Sequence, residues 1–200
     1  VNPDEFLSLE VTEDDRVVIP GGFGIRDIEK LILSVKKCRE EKIRTLGICL
    51  GFQIMVIEFL RANGINANSE EFSLTEENLR LRNDSDSDID DENGKKEDDR
   101  EQIIIRRMNN ISELGGTMRK GLFKIRLEKG SLMERLYNSD TVSVRFRHRY
   151  EIVNRYLYNK ITGFLKNIPV AGEFCDPEVY MIGVQYHPEF QTSLEKPEPL

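Results

Sequence analysis

The chain has 200 residues, 38% of them hydrophobic, and a formal net charge of −7, which is enough apolar content for one domain with a buried core. It contains no apolar run of transmembrane length and no basic stripe, so we expect no membrane and no nucleic-acid partner. Its three cysteines lack paired spacing and it has only two histidines. This argues against a disulfide framework or a structural metal site, and favours a reducing, cytoplasmic compartment.

The first part of the chain alternates apolar runs with amphipathic segments. Residues 17–20 predict a buried strand. The three glycines within residues 21–24 could present backbone N–H groups to a ligand, but an ordinary strand-to-helix turn explains them equally well. Residues 27–41 carry a helical apolar stripe, which Cys38 extends as a packing residue, and residues 43–48 predict the next strand. This rhythm is typical of a parallel α/β sheet, whose ligands bind beyond the carboxyl ends of the strands.

A cysteine stands at the sharpest predicted turn. Gly47-x-Cys49-x-Gly51 joins the strand at residues 43–48 to a helix predicted over residues 50–60, and it is a cysteine version of the Gly-x-Ser-x-Gly nucleophile elbow. We expect the N-terminus of that helix to lower the pKa of the thiol. The alternative is a cysteine that is simply buried in an α/β core, but the flanking glycines favour catalysis.

The acidity of the chain lies in one segment. Residues 84–101 hold ten acidic and three basic residues, whereas the two signs balance in the remainder. We therefore interpret residues 83–101 as a disordered, self-repelling acidic insert. The segment lacks the glycine and glutamate of an EF-hand loop at the required positions. Several of its serines lie beside acids and are candidate phosphorylation sites.

The second half of the chain predicts a hairpin-rich region. Residues 102–105 and 122–127 are strand-like, with a glycine-rich turn at residues 114–121 between them. Ser131 and Glu134 form the capping-box pattern of a short helix.

Residues 142–150 are unusually basic for a strand. Three arginines surround His148, which suits carboxylate recognition, although a solvated edge strand would show the same pattern. Residues 180–186 predict a further strand, and we expect the proline-rich residues 191–200 to form a loose tail.

Cysteine catalysis needs a base and a group that orients the base. His187 follows a predicted strand and has Glu189 two residues on, with Pro188 stiffening the turn between them. His148 is the alternative, but its arginine neighbours would depress its pKa and no acid is near to orient it. We therefore predict a triad of Cys49, His187 and Glu189.

The oxyanion of an acyl-transfer intermediate needs preorganised N–H donors. The residue after the nucleophile, Leu50, supplies one. Gly22 in the facing loop is the expected second donor.

Six sequence blocks together resemble the glutaminase domain of CTP synthase, a class I glutamine amidotransferase. The elbow and the His-x-Glu pair mark the wider amidotransferase class, whereas the Gly-Gly-Thr-Met-Arg and Arg-His-Arg-Tyr blocks indicate CTP synthase. The blocks are Pro20 to Gly24, Gly47 to Gln53, Asn68 to Phe72, Gly115 to Arg119, Arg147 to Tyr150 and Val184 to Phe190.

The resemblance implies a flavodoxin-like α/β fold, with a mainly parallel central sheet flanked by helices and an added antiparallel hairpin region. It implies that Cys49 forms a γ-glutamyl thioester with glutamine and releases ammonia. Glu71 would meet the α-amino group of glutamine and Arg149 its α-carboxylate. The residues implied to bind glutamine are Gly22, Leu50, Gly51, Phe52, Gln53, Glu71 and Arg149.

The resemblance also implies partners. In the family, a kinase-like synthetase half uses ATP and Mg²⁺ to phosphorylate UTP, and the ammonia then gives CTP; the full-length enzyme is homo-oligomeric. This sequence has no Gly-x-x-x-x-Gly-Lys-Ser/Thr loop and starts at about the second strand of the glutaminase fold. We interpret residues 1–200 as a single, N-terminally incomplete amidotransferase domain with no cofactor of its own. Its expected partners are L-glutamine and a synthetase domain or subunit.

Three positions depart from the family pattern. Glu70 replaces a threonine beside Glu71, where an extra carboxylate would perturb glutamine binding, Phe52 replaces a methionine and Phe146 replaces a histidine. Two alternatives to a glutaminase therefore stay open. One is a non-catalytic remnant that binds or regulates a partner, and the other is a stand-alone thiol hydrolase of γ-glutamyl compounds.

Overall fold

The structure is a computed structural model that describes residues 1–22, 27–72, 102–108, 118–153, 157, 159–174 and 180–200. The predicted acidic insert at residues 83–101, and residues 114–117 of the predicted glycine-rich turn, lie outside these ranges. In the part that is described, no helix is long and apolar enough to cross a membrane.

The helices and strands have the following bounds. The helices are α1 Pro3–Ser8, α2 Ile28–Glu40, α3 Leu50–Ala62 and α4 Leu132–Tyr137, with a 3-10 turn at Pro188–Phe190. The strands are β1 Arg16–Ile19, β2 Arg44–Ile48, β3 Ala67–Ser69, β4 Gln102–Arg107, β5 Arg119–Leu127, β6 Thr141–His148, β7 Tyr150–Ile152, β8 Ile161–Leu165, β9 Ile168–Glu173 and β10 Met181–Val184.

Seven strands form the main sheet, in the order β1-β2-β10-β9-β8-β5-β6. Strands β1, β2 and β10 are parallel, whereas β9, β8, β5 and β6 join by antiparallel pairing. The α/β class and the antiparallel hairpin region are therefore confirmed. The central sheet is mixed rather than mainly parallel, because the hairpins β5-β6 and β8-β9 extend it with antiparallel strands.

A second sheet of three strands has the order β3-β4-β7. The basic run predicted as one strand over residues 142–150 divides at Arg149 between the two sheets, since β6 belongs to the main sheet and β7 pairs with β4. Outward-facing Arg145 and Arg147 are exposed on β6, which is an edge strand of the main sheet.

Helix α3 follows the elbow and is buried on nearly every side, between the sheet and α2. Two glycines let it lie close to the strands. A Cβ atom at Gly47 would be 2.7 Å from the carbonyl carbon of Gly51, and a Cβ atom at Gly51 would collide with the carbonyl oxygen of Ile19. No side chain fits at either position, so both glycines fix where the nucleophile turn lies relative to the sheet.

Two capping predictions have different outcomes. Ser131 caps α4 as predicted, with its hydroxyl accepting from the N–H of Glu134 at 3.0 Å. The Glu134 carboxylate accepts from the N–H of Gly130 at 2.7 Å, rather than from Ser131. Helix α1 was not predicted, although Asn2 and Pro3 are a recognisable start signal; the Asn2 side chain accepts from the N–H of Glu5.

Residues 191–200, which we expected to form a loose tail, contact the body of the protein. The hydroxyl of Tyr137 donates to the carboxylate of Glu198 at 2.9 Å. Leu200 packs against the buried cluster that contains Met133 and Tyr186.

Candidate active site

Two neighbouring strands bring the predicted nucleophile and base to one edge of the sheet. Strands β2 and β10 are parallel, and Ile48 lies opposite Val184. The backbone N–H of Cys49 donates to the carbonyl oxygen of Val184 at 2.7 Å. The residues that follow the two strands, Cys49 and His187, therefore leave the sheet from adjacent carboxyl ends, where α/β folds place their ligands.

The backbone of Cys49 has the strained geometry of a nucleophile elbow. Its φ is 53° and its ψ is −100°, a combination that residues other than glycine rarely adopt. Such conformations persist where the surrounding structure holds them, and they concentrate at functional sites.

His187 is held by a carboxylate and by an aromatic ring. Its Nδ1 atom lies 2.6 Å from Oε1 of Glu189. The ring of Phe190 stacks on the imidazole, with centroids 4.6 Å apart and planes at 9°. The other ring nitrogen, Nε2, is buried and has no hydrogen-bond partner among the described residues. One nitrogen is thus oriented by an acid while the other is left to exchange a proton.

Gly21 lies between the imidazole and the cysteine. A Cβ atom at Gly21 would be 2.9 Å from Cε1 of His187 and 3.4 Å from Cβ of Cys49. The two side chains therefore flank one glycine, although 138 positions separate them along the chain. Gly22, the predicted oxyanion donor, lies instead against Leu50, since a Cβ atom there would be 3.2 Å from Cδ2 of Leu50.

Burial raises the pKa of the Cys49 thiol to about 11, and the charges of Glu189 and Glu71 act in the same direction. Hydrogen bonds from the Leu50 N–H and from Gln185 oppose the rise. The expectation that the helix N-terminus leaves a net lowered pKa was wrong, because desolvation outweighs these donors. The Cys49 side chain is therefore a protonated thiol, and its S–H donates to the carbonyl oxygen of Arg147 at 3.9 Å.

Gln185, which follows β10 two positions before His187, contacts Cys49 and was not singled out from the sequence. Its side-chain Nε2 donates to the Cys49 sulfur at 3.6 Å. Its Oε1 accepts from Nε2 of Gln53 at 3.0 Å. Gln53, which was predicted to bind glutamine, is only 4% exposed. Its side-chain amide is part of this hydrogen-bond network.

His148, the alternative base, is a buried structural residue. Its Nδ1 lies 2.7 Å from the carbonyl oxygen of Tyr150, and its Nε2 lies 3.4 Å from the Arg119 guanidinium. Arg119 is paired in turn with Glu151 at 3.2 Å. Burial lowers the pKa of His148 to about 3, so the imidazole is neutral, donating through Nδ1 to the carbonyl and accepting from the guanidinium at Nε2.

The two residues predicted for the ends of glutamine lie near one tyrosine. Burial raises the pKa of Tyr150, the charge of Glu71 raises it further, and the charge of Arg149 lowers it. Arg149 is exposed and Glu71 is half-buried. The charge of Glu71 also raises the pKa of Cys49, so it acts on both side chains.

The three departures from the family pattern have local explanations. The carboxylate of Glu70 accepts from the N–H of Arg107 at 2.7 Å, so it is tied to β4. Phe146 packs edge-on against Phe123 and Tyr186.

The third departure, Phe52, is fully buried and packs on Gly183 and Phe174. Because its side chain faces the core, any part that Phe52 takes in binding glutamine would fall to its backbone groups.

Metal ions in proteins are held by groups of His, Cys, Asp and Glu side chains that lie close together. Across the described ranges, no three or more His, Cys, Asp and Glu side chains form a group that could hold a metal ion. The two cysteines in these ranges, Cys38 and Cys49, are both free thiols. Cys38 is fully buried in the core, as predicted for a packing residue.

These features, a strained cysteine at a strand-to-helix turn and an adjacent His-x-Glu pair, accompany a clear family match. The chain belongs to the class-I glutamine amidotransferase family, whose model it matches over residues 2–200.

Within that family, proteins similar to this chain include CTP synthases. The chain is 36% identical over 194 residues to the CTP synthase of Helicobacter pylori (strain ATCC 700392 / 26695), covering 93% of this chain and 34% of that protein. It is 37% identical over 207 residues to the CTP synthase of Mycoplasmopsis pulmonis (strain UAB CTIP), covering 100% of this chain and 34% of that protein. The chain thus spans about a third of the length of these relatives.

A solved structure of a glutaminase domain is also similar to this chain. The glutaminase domain of Trypanosoma brucei CTPS with bound acivicin superposes with a TM-score of 0.72 and 26% identity, covering 98% of this chain and 70% of that chain. The resemblance to a CTP synthase glutaminase domain, stated from sequence motifs, is confirmed by these matches.

Proposed function

We propose that this chain hydrolyses L-glutamine to glutamate and ammonia through Cys49, His187 and Glu189. One observation carries the proposal. Cys49 and His187 flank Gly21, and the buried Nε2 of His187 has no partner in the described part of the chain. General-base activation of a nucleophile needs an imidazole nitrogen that can take the proton of the thiol, and Nε2 of His187 is the candidate for that role.

The reaction would proceed in two balanced halves. The Cys49 thiol passes its proton to Nε2 of His187 while the sulfur attacks the side-chain amide carbon of glutamine. His187 then returns the proton to the amide nitrogen, ammonia leaves, and a γ-glutamyl thioester remains. A water molecule gives a proton to His187 and attacks the thioester carbon, and the sulfur leaves and regains that proton, releasing glutamate.

The pKa of the thiol fits this order of events. Burial raises the pKa of Cys49 to about 11, so sulfur enters the reaction protonated and needs a base at the moment of attack. Glu189 keeps Nδ1 of the imidazole as the donor and steadies the positive charge that forms. Leu50 and Gly22 would supply the N–H groups for the oxyanion.

Substrate recognition would use the opposite charges near Tyr150. Glu71 would bind the α-amino group of glutamine and Arg149 its α-carboxylate, since the two ends of an amino acid need one acid and one base. Both residues contribute charge around the same tyrosine. Backbone groups of Leu50 to Gln53 would complete the pocket.

The ammonia would serve a partner. In CTP synthases, the relatives that this chain matches over about a third of their length, it would support the amination of UTP. We propose that a synthetase domain or subunit, in a homo-oligomeric assembly, accepts the ammonia and holds the ATP and Mg²⁺. No step assigned to the present residues uses either group. Free thiols at Cys38 and Cys49 suit a reducing, cytoplasmic setting.

The test compares two cysteine variants. Glutamate release from glutamine is measured for the parent chain, Cys49→Ala and the matched control Cys38→Ala, with folding checked by circular dichroism. We expect Cys49→Ala to lose activity by at least about a thousandfold and Cys38→Ala to keep it within a few-fold. A Cys49→Ala protein that releases glutamate at the parent rate would refute the proposal.

A glutamine-like electrophile separates the remaining alternatives. An active site is expected to acquire the label at Cys49 and not at Cys38, whereas a non-catalytic remnant stays unlabelled. Faster turnover of γ-glutamyl peptides than of glutamine would instead favour a stand-alone thiol hydrolase.

A further inference from the structure

We propose that Gln185 is a positioning residue for this reaction: its amide N–H holds the Cys49 sulfur in place beside Gly21 and His187. The inference rests on the proposed function, because the contact matters for catalysis only if the sulfur is the nucleophile. It assigns a role to a residue outside the predicted triad, oxyanion hole and glutamine-binding set.

The contact has an ordinary length for a sulfur acceptor and is almost fully enclosed. Nε2 of Gln185 lies 3.6 Å from Sγ of Cys49, and sulfur is a large acceptor whose hydrogen bonds are longer than those of oxygen. Gln185 is 1% exposed and Cys49 is 5% exposed. Water therefore cannot readily replace the amide as a donor to the sulfur.

A second amide fixes which end of Gln185 faces the sulfur. Nε2 of Gln53 lies 3.0 Å from Oε1 of Gln185 and 3.3 Å from the carbonyl oxygen of Tyr150. Because a backbone carbonyl only accepts, Gln53 must turn its NH₂ group toward both oxygens. The oxygen of Gln185 then faces Gln53, and its NH₂ group faces Cys49.

The backbone of Gln185 is anchored as well. Its N–H donates to the carbonyl oxygen of Val170 at 2.9 Å, which ties the residue to β9 beyond the end of β10. The side chain is thus held by one strand through the backbone and by α3 through Gln53. A donor held in this way loses little side-chain entropy when the sulfur acquires charge.

The electrostatic surroundings make such a donor useful. Glu189 and Glu71 act on the sulfur with negative charge, and burial also disfavours its anion. Against these, Gln185 and the N–H of Leu50 are the groups that favour the thiolate. A neutral amide strengthens its hydrogen bond as the sulfur becomes negative, and it does so without occupying Nε2 of His187.

The test measures the sulfur directly. The full chain is alkylated with iodoacetamide at several pH values from 8 to 10, below the pKa of the thiol, and the rate of modification at Cys49 is read by peptide mass spectrometry. Gln185→Met removes the donor with little change of volume, and Gln185→Glu keeps an oxygen toward Gln53 while replacing the donor by an acceptor. Gln102→Met, at the start of β4, is the matched control.

We expect the rate of Cys49 alkylation at each pH to fall about tenfold in Gln185→Met, which corresponds to a rise of about one unit in the pKa of the thiol, and further in Gln185→Glu, where a carboxylate faces the sulfur. The Gln102→Met profile should match that of the parent. In glutamine hydrolysis, Gln185→Met should lower kcat about tenfold with KM nearly unchanged, since Gln185 contacts the sulfur rather than the ends of glutamine.

Unchanged alkylation rates of Cys49 in both Gln185 variants would overturn the inference. If Gln185→Met does not fold, Gln185→Glu decides alone, because it retains the contact with Gln53. The alkylation result is independent of turnover. A parent chain that does not hydrolyse glutamine would end the proposed function, while the alkylation rates would still show whether Gln185 acts on the sulfur.

Discussion

The imidazole of His187 lies directly against Gly21, where a Cβ atom would be 2.9 Å from Cε1. The ring has little room to move away, because Glu189 holds one side and Phe190 covers one face. We therefore predict that Gly21→Ala lowers kcat for glutamine hydrolysis at least about tenfold, since a misplaced base loses alignment with the sulfur. Stability should fall modestly as well, because the ring must shift against Glu189 and Phe190 to admit the added methyl group.

Gly22→Ala is the natural comparison for that variant. Among the residues that the structure describes, a Cβ atom at Gly22 meets only a methyl group of Leu50, at 3.2 Å, and alanine keeps the backbone N–H. We expect a loss of less than about threefold in kcat. Equal kcat for Gly21→Ala and the parent would show that the base tolerates displacement and would contradict the first prediction.

Glu189→Gln tests whether the carboxylate orients the base. Oε1 of Glu189 lies 2.6 Å from Nδ1 of His187, and an amide there can present its NH₂ group to that nitrogen and favour the wrong tautomer. We predict a fall in kcat of about a hundredfold or more, with KM changed far less. Glu195→Gln, at an exposed position six residues after Glu189, should be indistinguishable from the parent in the same assay.

His148→Gln tests the buried histidine through stability. The folded pKa of about 3 lies below the usual 6.5, so the unfolded chain binds the proton more tightly than the folded one. The contribution of the neutral His148 to the stability of the folded state is fully present above pH 6.5. It is lost progressively as the pH falls from 6.5 to 3. We predict that His148 accounts for about 2 kcal/mol of the loss in unfolding free energy between pH 7 and pH 4.5.

Urea denaturation at the two pH values measures this loss. The side chain introduced by His148→Gln can still donate to the Tyr150 carbonyl and accept from Arg119, but it does not titrate in this range. The variant should therefore lose less stability on acidification than the parent. Carboxylates titrate in both proteins and cancel in the comparison. Parallel losses in the two proteins would mean that His148 carries no such linkage.

Replacing residues 83–101 by a short glycine-serine linker tests the domain assignment. We propose that this acidic segment is an insert outside the folded domain. Strands β3 and β4 pair through residues 67–69 and 102–105, and a parallel crossover needs about a dozen connecting residues, which residues 73–82 and the linker provide. We expect kcat within about twofold of the parent, measured with thermal unfolding. A large loss of activity would assign the segment a role in the site.

The parts of the structure that sequence predicts well are those set by local patterns. The helices predicted over residues 27–41 and 50–60 are observed as Ile28–Glu40 and Leu50–Ala62. The Cys49 elbow and the His187–Glu189 contact also depend on residues close together in the chain. Fixed spacing in sequence translates there into fixed geometry.

The parts that were missed depend on tertiary packing. Gln185 contacts Cys49 across 136 positions, and nothing in the strand pattern distinguishes it from a core residue. The pKa of the thiol was predicted with the wrong sign because the helix N-terminus is visible in the sequence, whereas the burial that outweighs it is not. The three-stranded sheet was missed because its strands are short and far apart in the chain.

The neighbouring positions of β2 and β10 have a practical consequence. Cys49 lies in the first quarter of the chain and His187 in its last tenth, and the pairing of β2 with β10 brings them together. The polypeptide between the two strands is not what holds the two residues in place. A break within residues 83–101 would give two polypeptides that each carry one reacting group. Their reassembly would be reported by returning ammonia production, which makes this fold a candidate for a two-fragment complementation reporter.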